Sequence, residues 1–417
     1  MVEKFEKICG KDCTACNACI NICPKDCISY EMDFTGTKYA IINKNKCILC
    51  NLCKKVCPQL NYVEDNFPKH CYAAWSHNIE IRKKSASGGI ATELYKMFEA
   101  EEGLFSGVKL TDSFSAEYQL ADKLDVIKDY QNSKYVYSDT KMIYQSIGNL
   151  LKQGKRILFI GLPCHVAAIK QYVKIKKIVD DKLFTVDLIC HGVTPSEFLK
   201  EHIAYIEKSY NEKATKLYFR DPDNHTYTYT FSLQNEKGTF YRRKVHRNDM
   251  YQIGYHYGIT YRSNCYKCRY AQPKRVGDIT LADFGYVGTY ASCEYDNKNV
   301  SCILINTEKG KRLIEDLNKT GNIFVEERPM EEEIETEKQL KYPTVSPKER
   351  KKFLKLLLKT GNFEISMKGA ARIIILKNEI KYYFHIDEIY SKISHMLPKA
   401  FKASVKKLIG GSKKLLK

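Results

Sequence analysis

The sequence predicts an α+β protein in three parts: a cysteine-rich module over residues 1–66, a mixed α/β domain over 67–345, and a basic helical tail over 346–417. Three patterns predict this division. Two cysteine runs of identical spacing occupy the first part, strand and helix patterns alternate in the second, and a helical apolar period marks the third. A length of 417 residues suits two or three domains.

The module contains two runs with the spacing Cys-x2-Cys-x2-Cys-x3-Cys-Pro. This spacing is that of bacterial two-cluster ferredoxins, in which three cysteines of one run and the fourth of the other hold each 4Fe-4S cluster. A pair of zinc sites is the alternative, but zinc usually takes its ligands as two separate pairs. We therefore predict two clusters, one held by Cys13, Cys16, Cys19 and Cys57, the other by Cys47, Cys50, Cys53 and Cys23.

The remaining patterns define the secondary structure. In the module, a strand pair is predicted over 28–32 and 38–42, and the polar residues 64–68 form a boundary. In the second part, continuous apolar runs predict buried strands over 156–160 and 183–189. Apolar residues at helical spacing predict helices over 90–100, 143–151, 166–174 and 195–209. Their alternation indicates a parallel sheet. A period of two then predicts antiparallel strands over 226–231 and 239–245.

The net charge of +19 is unevenly distributed. Residues 341–417 hold nineteen Lys and Arg but five Asp and Glu, so the rest of the chain is nearly balanced. This distribution argues against a nucleic-acid enzyme with a basic main groove. The tail, with one apolar helical stripe at Leu397, Phe401, Val405 and Leu408, suits an acidic partner, the inner face of a membrane, or a solvated helix. Without an apolar leader or a long apolar run, we expect a cytoplasmic protein.

A second group of cysteines follows the two runs. Cys164 and Cys190 each come directly after a predicted buried strand, and Cys265 and Cys268 form a Cys-x2-Cys pair. Ligands of open α/β sheets bind at the carboxyl ends of strands, so these four thiols are candidate ligands of a third cluster. Buried core thiols, a zinc half-site and a redox dithiol are the alternatives. No role is predicted for Cys9, Cys27, Cys71, Cys293 and Cys302.

Seven segments resemble, in order, the coenzyme F-420 hydrogenase/dehydrogenase beta-subunit family. They are SASGG (Ser85–Gly89), SKYVYS (Ser133–Ser138), LFIGLPCH (Leu158–His165), DLICHG (Asp187–Gly192), FRD (Phe219–Asp221), RSNCYKCRYA (Arg262–Ala271) and DITLADFG (Asp278–Gly285). The chain departs from the family at two positions. His165 stands where Gln is common, and Gly285 follows Phe284 without the usual Trp.

The resemblance implies FAD beside iron–sulfur clusters, and it favours the third 4Fe-4S cluster at Cys164, Cys190, Cys265 and Cys268. It implies a cofactor site at Ser85, Ser87, Gly88, Gly89, Lys134, Tyr135 and Asp283, with Arg220 as a further candidate. His165 and His191 are expected to serve catalysis by moving protons or tuning the cluster. The alternatives are serines that only cap a helix and histidines bonded to backbone.

The predicted function is an oxidoreductase that passes electrons between 4Fe-4S clusters and FAD. It would connect a one-electron carrier such as ferredoxin with a two-electron substrate. Two alternatives stay open: an electron-relay subunit of a larger redox complex, and an iron–sulfur module without flavin.

Overall fold

The computed structural model describes residues 5–296 and 298–384. The cysteine module has five elements: β1 (Phe5–Lys7), α1 (Ala18–Ile22), β2 (Ile28–Met32), β3 (Lys38–Asn43) and α2 (Leu52–Val56). The strands form an antiparallel sheet in the order β1-β3-β2, which confirms the predicted strand pair. Each helix begins after an asparagine in the left-handed conformation, Asn17 before α1 and Asn51 before α2.

Strands and helices alternate in the following segment. It consists of β4 (His70–Ser76), α3 (Ile79–Lys84), α4 (Ile90–Ala100), β5 (Leu104–Leu110), β6 (Ala116–Ala121), α5 (Ile127–Tyr130), β7 (Ser138–Asp139), α6 (Ile143–Lys152), β8 (Ile157–Gly161), α7 (Pro163–Ile175), β9 (Leu183–Leu188) and α8 (Ser196–Tyr210). All five residues of β8 are buried, as its continuous apolar run predicts. Helix α7 begins earlier than expected, at Pro163, because proline suits the first helical turn.

A small antiparallel sheet comes next, with β10 (Lys216–Tyr218), β11 (Thr230–Asn235) and β12 (Gly238–Lys244), followed by α9 (Met250–His256). The predicted strand over 226–231 is wrong in its first half. Thr226–Thr228 form a 3-10 turn, and Tyr229 has a φ of 52°. The Thr228 hydroxyl donates to the carbonyls of Asn224 (2.7 Å) and His225 (2.9 Å), and such local bonds compete with strand pairing.

The remaining elements are β13 (Ile279–Asp283), β14 (Ser301–Ile305), α10 (Glu308–Lys319), β15 (Ile323–Arg328), α11 (Glu331–Ile334), α12 (Lys348–Thr360), α13 (Phe363–Ala370) and α14 (Arg372–Tyr383). The main sheet is mixed, with nine strands in the order β15-β4-β14-β13-β9-β8-β5-β6-β7. Its centre, β13-β9-β8-β5, is parallel. The carboxyl ends of these strands therefore meet at one edge, where Cys164, Cys190 and Asp283 lie.

The described part of the predicted tail shares a core with the preceding region. Phe353 of α12 and Phe363 of α13 are buried against Phe198 of α8. Residues 348–371 therefore pack onto α8 and α9. The apolar stripe from Leu397 to Leu408 lies outside the described residues. In the part of the chain that is described, no helix is long and apolar enough to cross a membrane.

A buried histidine joins three of these helices. His202 of α8 contacts the Asp249 carboxylate at 3.0 Å through Nε2 and the Glu364 carboxylate through Nδ1. Burial alone would lower the pKa of His202, but the two carboxylates outweigh it and raise the pKa to about 10. An imidazolium between two carboxylates thus connects α8, the start of α9 and α13.

Candidate functional site

One cavity of the cysteine module brings together the four thiols that the crossed pairing of the two runs predicts. It is lined by Cys13, Cys16, Cys19 and Cys57. All four are buried. The Cys13 sulfur accepts backbone N–H bonds from Ala15 and Ala40, each 3.4 Å long. Cys9, for which no role is predicted, interacts with Cys13 and Cys57 beside this cavity.

The thiols of the second cavity are more exposed than those of the first. The wall of the second cavity includes the other predicted combination of thiols, Cys23, Cys47, Cys50 and Cys53. Cys50 is exposed and the other three are half-buried. The Leu49 N–H points to the Cys47 sulfur at 3.4 Å, and the Cys27 sulfur lies 3.4 Å from that of Cys23.

Left-handed residues shape both loops at matching positions. Ala15 (φ 51°) and Leu49 (φ 58°) precede the second cysteine of each run, and Asn17 and Asn51 follow it. The loops therefore turn in the same way, and each directs a backbone N–H at the first sulfur of its run. Non-glycine residues rarely adopt this conformation, so its repetition marks a local constraint.

The charge state of the thiols tests whether they fit a cluster. Burial and the neighbouring thiols raise the pKa of Cys16 to about 12, and they raise that of Cys19 well above the usual range. Hydrogen bonds from Cys9 instead lower the pKa of Cys13 to about 6 and also lower that of Cys57. Ionising Cys16 and Cys19 as well would need cationic charge in the cavity, which the iron of a cluster would supply. Within residues 5–296 and 298–384, no group of three or more His, Cys, Asp or Glu side chains surrounds a point that one metal ion could occupy.

The four cysteines of the second group are neighbours in space. Cys164 lies in the first turn of α7, Cys190 follows β9, Cys265 lies in the 3-10 segment Ser263–Lys267, and Cys268 ends that segment. Burial raises the pKa of Cys164, and Cys190, Cys268, Cys16 and Cys265 raise it further. The influence of Cys16 places this group beside the first cavity.

Hydrogen bonds hold the first cysteine loop against the α/β region. The Arg262 guanidinium donates to the carbonyl oxygens of Thr14 (2.7 Å) and Cys13 (3.1 Å). The Tyr137 hydroxyl donates to the Ala15 carbonyl at 2.8 Å, and the Thr140 hydroxyl donates to that of Cys16 at 3.0 Å. Because Arg262 precedes Cys265 by three residues, one segment positions both thiol groups.

A buried arginine connects the predicted cofactor residues. The Arg220 guanidinium donates through Nε to the Tyr135 hydroxyl and through a terminal nitrogen to the Ala86 carbonyl, both at 2.5 Å. Its other terminal nitrogen pairs with Asp283 Oδ2, which also accepts from the Tyr229 hydroxyl at 3.1 Å. Arg220 therefore brings together the 85–89 loop, Tyr135 and Asp283, which are far apart in sequence.

Aromatic rings surround this Arg220 cluster, and sequence reasoning missed them. Tyr135 stacks on Tyr255 with a centroid distance of 4.3 Å, and Tyr229 packs edge-on against His256. Burial lowers the pKa of His256 to about 3, with Arg220 and His191 contributing. Tyr255 and Tyr261, 5.3 Å apart, both lie near Cys190, so the rings adjoin the second group of cysteines. The one signal that could have found them is the density of aromatic residues in the sequence.

The polar groups of the 85–89 loop have partners within the protein. The Ser85 hydroxyl donates to the Ile81 carbonyl (2.8 Å) and the Ser87 hydroxyl to that of Val300 (2.7 Å). The Gly88 N–H donates to the Ser301 hydroxyl, and a Cβ on Gly88 would lie 2.4 Å from the Ala74 carbonyl oxygen. Gly88 is thus required by packing. Gly89 begins α4 without a side-chain cap, and this helix end suits an anionic group.

Lys134 has carbonyl partners. Its ammonium donates to the Asp129 carbonyl at 2.6 Å and the Gln131 carbonyl at 2.7 Å, and burial lowers its pKa to about 7. The cation therefore holds the end of α5. Its contact with a phosphate stays a prediction.

The two predicted catalytic histidines lie in different surroundings. His165 is buried in α7, its Nδ1 is 2.9 Å from the Tyr118 hydroxyl, and burial lowers its pKa to about 3. His191 is exposed, its carbonyl accepts from Thr344, and it lies close enough to His256 to affect its pKa. Of the two, only His191 stands beside the Arg220 cluster.

Comparisons with known proteins agree with the motifs. Residues 154–332 match the family model for the C terminus of the coenzyme F420 hydrogenase/dehydrogenase beta subunit. This stretch of the chain is therefore similar to the C-terminal part of those beta subunits. Residues 12–61 match the 4Fe-4S dicluster domain, which confirms that interpretation of the module. The first match contains Arg220, Asp283 and the second group of cysteines.

Two relatives illustrate the family. The beta subunit of F420-dependent formate dehydrogenase 1 from Methanococcus maripaludis is 24% identical over 267 residues, and the match covers 60% of each chain. This chain thus spans about three fifths of that beta subunit's length. A chain of the F420-reducing [NiFe] hydrogenase complex from Methanosarcina barkeri is 19% identical, with 76% of this chain and 91% of that chain covered and a TM-score of 0.42.

Proposed function

We propose that this chain is an oxidoreductase that passes electrons between 4Fe-4S clusters and FAD. It would thereby connect a one-electron carrier with a two-electron substrate. The observation that supports this most directly is the order of the sites. Each site adjoins the next in one spatial order. The exposed thiols around Cys50 come first, then the buried thiols around Cys16, then the second group of cysteines, and last the Arg220 cluster.

The module would hold two clusters through its two thiol combinations. Backbone N–H groups of Ala15 and Ala40 point at the Cys13 sulfur, whereas the N–H of Leu49 points at that of Cys47. Hydrogen bonds to cluster sulfur and burial both tune reduction potential. The clusters at the buried and the exposed site would therefore differ in reduction potential.

A third cluster would be held by Cys164, Cys190, Cys265 and Cys268. The chemistry of the donors supports this, since the four thiols are half-buried, their surroundings raise the pKa of each, and they would need cationic charge to ionise together. The position supports it as well, because the group lies between the first cavity and the rings around Arg220. His165, bonded to Tyr118, would orient the start of α7 beside Cys164.

The proposed FAD site uses the start of α4 and the Arg220 cluster. Ser85, Ser87 and Gly88 shape the loop, Gly89 opens the helix end to a phosphate, and Arg220 fixes Tyr135 and Asp283. Bound FAD would supply the exchange of single electrons with the clusters and of electron pairs with the substrate. His191, exposed beside this site, would hold or release a proton at its imidazole. Lys134 would act through the loop that it holds.

A second function is favoured by one comparison. The formate dehydrogenase relative is named as a subunit, so this chain would instead serve as an electron relay in a larger redox complex. The two functions differ in a simple assay. A free-standing enzyme reduces a two-electron dye alone, whereas a relay does so only with its partner.

Oxygen-free purification with iron, sulfide and flavin analysis tests the proposal. We expect about twelve irons per chain and bound flavin, whereas a chain with only the two module clusters would carry about eight. Cys190→Ser should lower the count toward eight and keep the module clusters. Cys293→Ser, in a half-buried loop cysteine, is the control and should change nothing. A preparation with clusters but without flavin would reject the FAD step.

A further inference from the structure

The two cysteine loops are related by sequence and conformation but meet different surroundings. Ala15 of the first loop is 1% exposed and packs with Tyr137 and Val193 of the α/β region. Leu49 occupies the same position of the second loop, has the same left-handed backbone, and is 77% exposed. The first loop is therefore docked on its redox neighbour through this position, whereas the second presents it to solvent.

The residues around Leu49 have the composition of a protein contact. Ile48 beside it is 56% exposed, and Cys50, the next residue, is the most accessible of the predicted cluster ligands. Large exposed apolar side chains grouped at one place mark interaction sites. Because Cys50 belongs to this surface, a partner seated here would approach the cluster closely.

The charge of this surface is mainly positive. Residues 43–61 contain four lysines and no acidic residue. Lys54 pairs with Glu6 at 2.8 Å, while Lys44 and Lys46 form no ion pair with any described residue. Lysines therefore outnumber Glu6, the acidic residue on the wall of this cavity, around Ile48 and Leu49. We call this surface the docking face; it comprises Lys25, Lys44, Lys46, Lys54, Ile48 and Leu49.

We propose that the docking face binds a small acidic one-electron carrier protein, whose carboxylates surround its own redox centre. The inference rests on the proposed function and names the place where its carrier binds. In the step concerned, the carrier loses one electron and the cluster held by Cys23, Cys47, Cys50 and Cys53 gains it. No covalent bond changes and no proton moves. Complementary charge steers such encounters, and the apolar centre holds the complex.

Binding to the full-length holoprotein, measured by biolayer interferometry with an acidic bacterial 4Fe-4S ferredoxin as the probe, tests this. For Lys44→Glu with Lys46→Glu, we expect Kd to rise about tenfold, and added salt to weaken wild-type binding. Leu49→Ala, which copies the first loop, should raise Kd about threefold. Lys152→Glu with Lys155→Glu makes the same charge change on exposed residues at the end of α6, outside the docking face, and should leave Kd unchanged.

Several results would overturn the proposal. Wild-type binding could be absent or insensitive to salt, or the Lys44/Lys46 variant could bind as tightly as the wild type. The control variant could lose as much affinity as the Lys44/Lys46 variant, or binding could be lost only when residues 397–417 are removed. Iron content confirms that each variant is loaded. Reduction by dithionite, followed through iron–sulfur absorbance, must stay unchanged in the docking-face variants. Neither the binding measurement nor the reduction by dithionite requires bound flavin. A protein without flavin would therefore reject the proposed function, while ferredoxin binding to the docking face could still be confirmed.

Discussion

The Arg262 guanidinium donates to the Thr14 carbonyl oxygen at 2.7 Å, across 248 residues of sequence. The same side chain reaches the carbonyls of Cys13 and Lys38 and is 3% exposed. A planar fork of donors thus joins the first cysteine loop to the segment that carries Cys265. The distance between two redox groups depends on this contact.

Arg262→Lys should weaken this contact without removing its charge. A single ammonium replaces the fork, so we expect about 2 kcal/mol less stability, measured by denaturant unfolding of the holoprotein. Electron transfer beyond the first loop should slow, measured by rapid mixing with dithionite. Arg312→Lys, at an exposed residue of α10, should change neither quantity. Equal stability of Arg262→Lys and wild type would show that the contact does not hold the loop.

The crossed pairing predicts that Cys57→Ser damages the buried cluster rather than the exposed one. Cys57 belongs to the second run by sequence but lines the first cavity with Cys13. Electron paramagnetic resonance of the reduced protein should therefore lose the signal that is shielded from solvent relaxation agents. Cys23→Ser should have the converse effect, because Cys23 lines the cavity whose thiols are more exposed. If each variant affected the cluster of its own run, the crossed pairing would be wrong.

Asp283→Asn tests the Arg220 cluster. The substitution keeps the shape of the side chain but leaves a buried guanidinium without its counter-charge, and Tyr229 without an anionic acceptor. We expect bound flavin to fall at least about tenfold while iron content is unchanged. Flavin released by acid and iron measured on the same sample give the two quantities.

Asp223→Asn provides the comparison for Asp283→Asn. Asp223 is exposed and its contact with Arg242 is long, at 3.5 Å, so the substitution should leave flavin content unaffected. Loss of iron together with flavin in Asp283→Asn would instead indicate general unfolding.

The sequence predicts what depends on short spacing. The thiol combinations follow from the spacing within each run and the crossed pairing of two-cluster ferredoxins, and β8 follows from a continuous apolar run. It does not predict contacts that only the assembled sheet creates. The motif Phe-Arg-Asp makes Arg220 a candidate for the cofactor site, but nothing in it shows that Ala86, Tyr135 and Asp283 converge on this arginine.

Side-chain partners account for three further features that the sequence does not reveal. A lysine within a family motif suggests a phosphate contact, yet the flexible Lys134 stem reaches carbonyls at the end of α5. The amphipathic helices after residue 346 indicate an apolar face but not its partner, which is the core around Phe198. The misplaced strand at Thr226–Thr228 has a local cause, since threonine hydroxyls replace the strand's hydrogen bonds.

The buried ion cluster around His202 predicts how stability depends on pH. Asp249 and Glu364 raise the pKa of His202 to about 10 in the folded chain, against an ordinary value of 6.5. The folded state therefore holds a proton that the unfolded state releases above pH 6.5. The resulting stabilisation, on the order of 5 kcal/mol, is fully present below pH 6.5 and is lost as pH rises through about 10.

We expect the unfolding temperature of the holoprotein to fall between pH 7 and pH 10. His202→Gln should lower it at neutral pH and flatten this dependence, because glutamine cannot carry the charge that the carboxylates require. His77→Gln replaces an exposed histidine and should follow the wild-type curve. Since His202 lies outside the thiol groups, iron content should be equal in all three proteins. A His202→Gln curve parallel to that of the wild type would show that the pH dependence arises elsewhere.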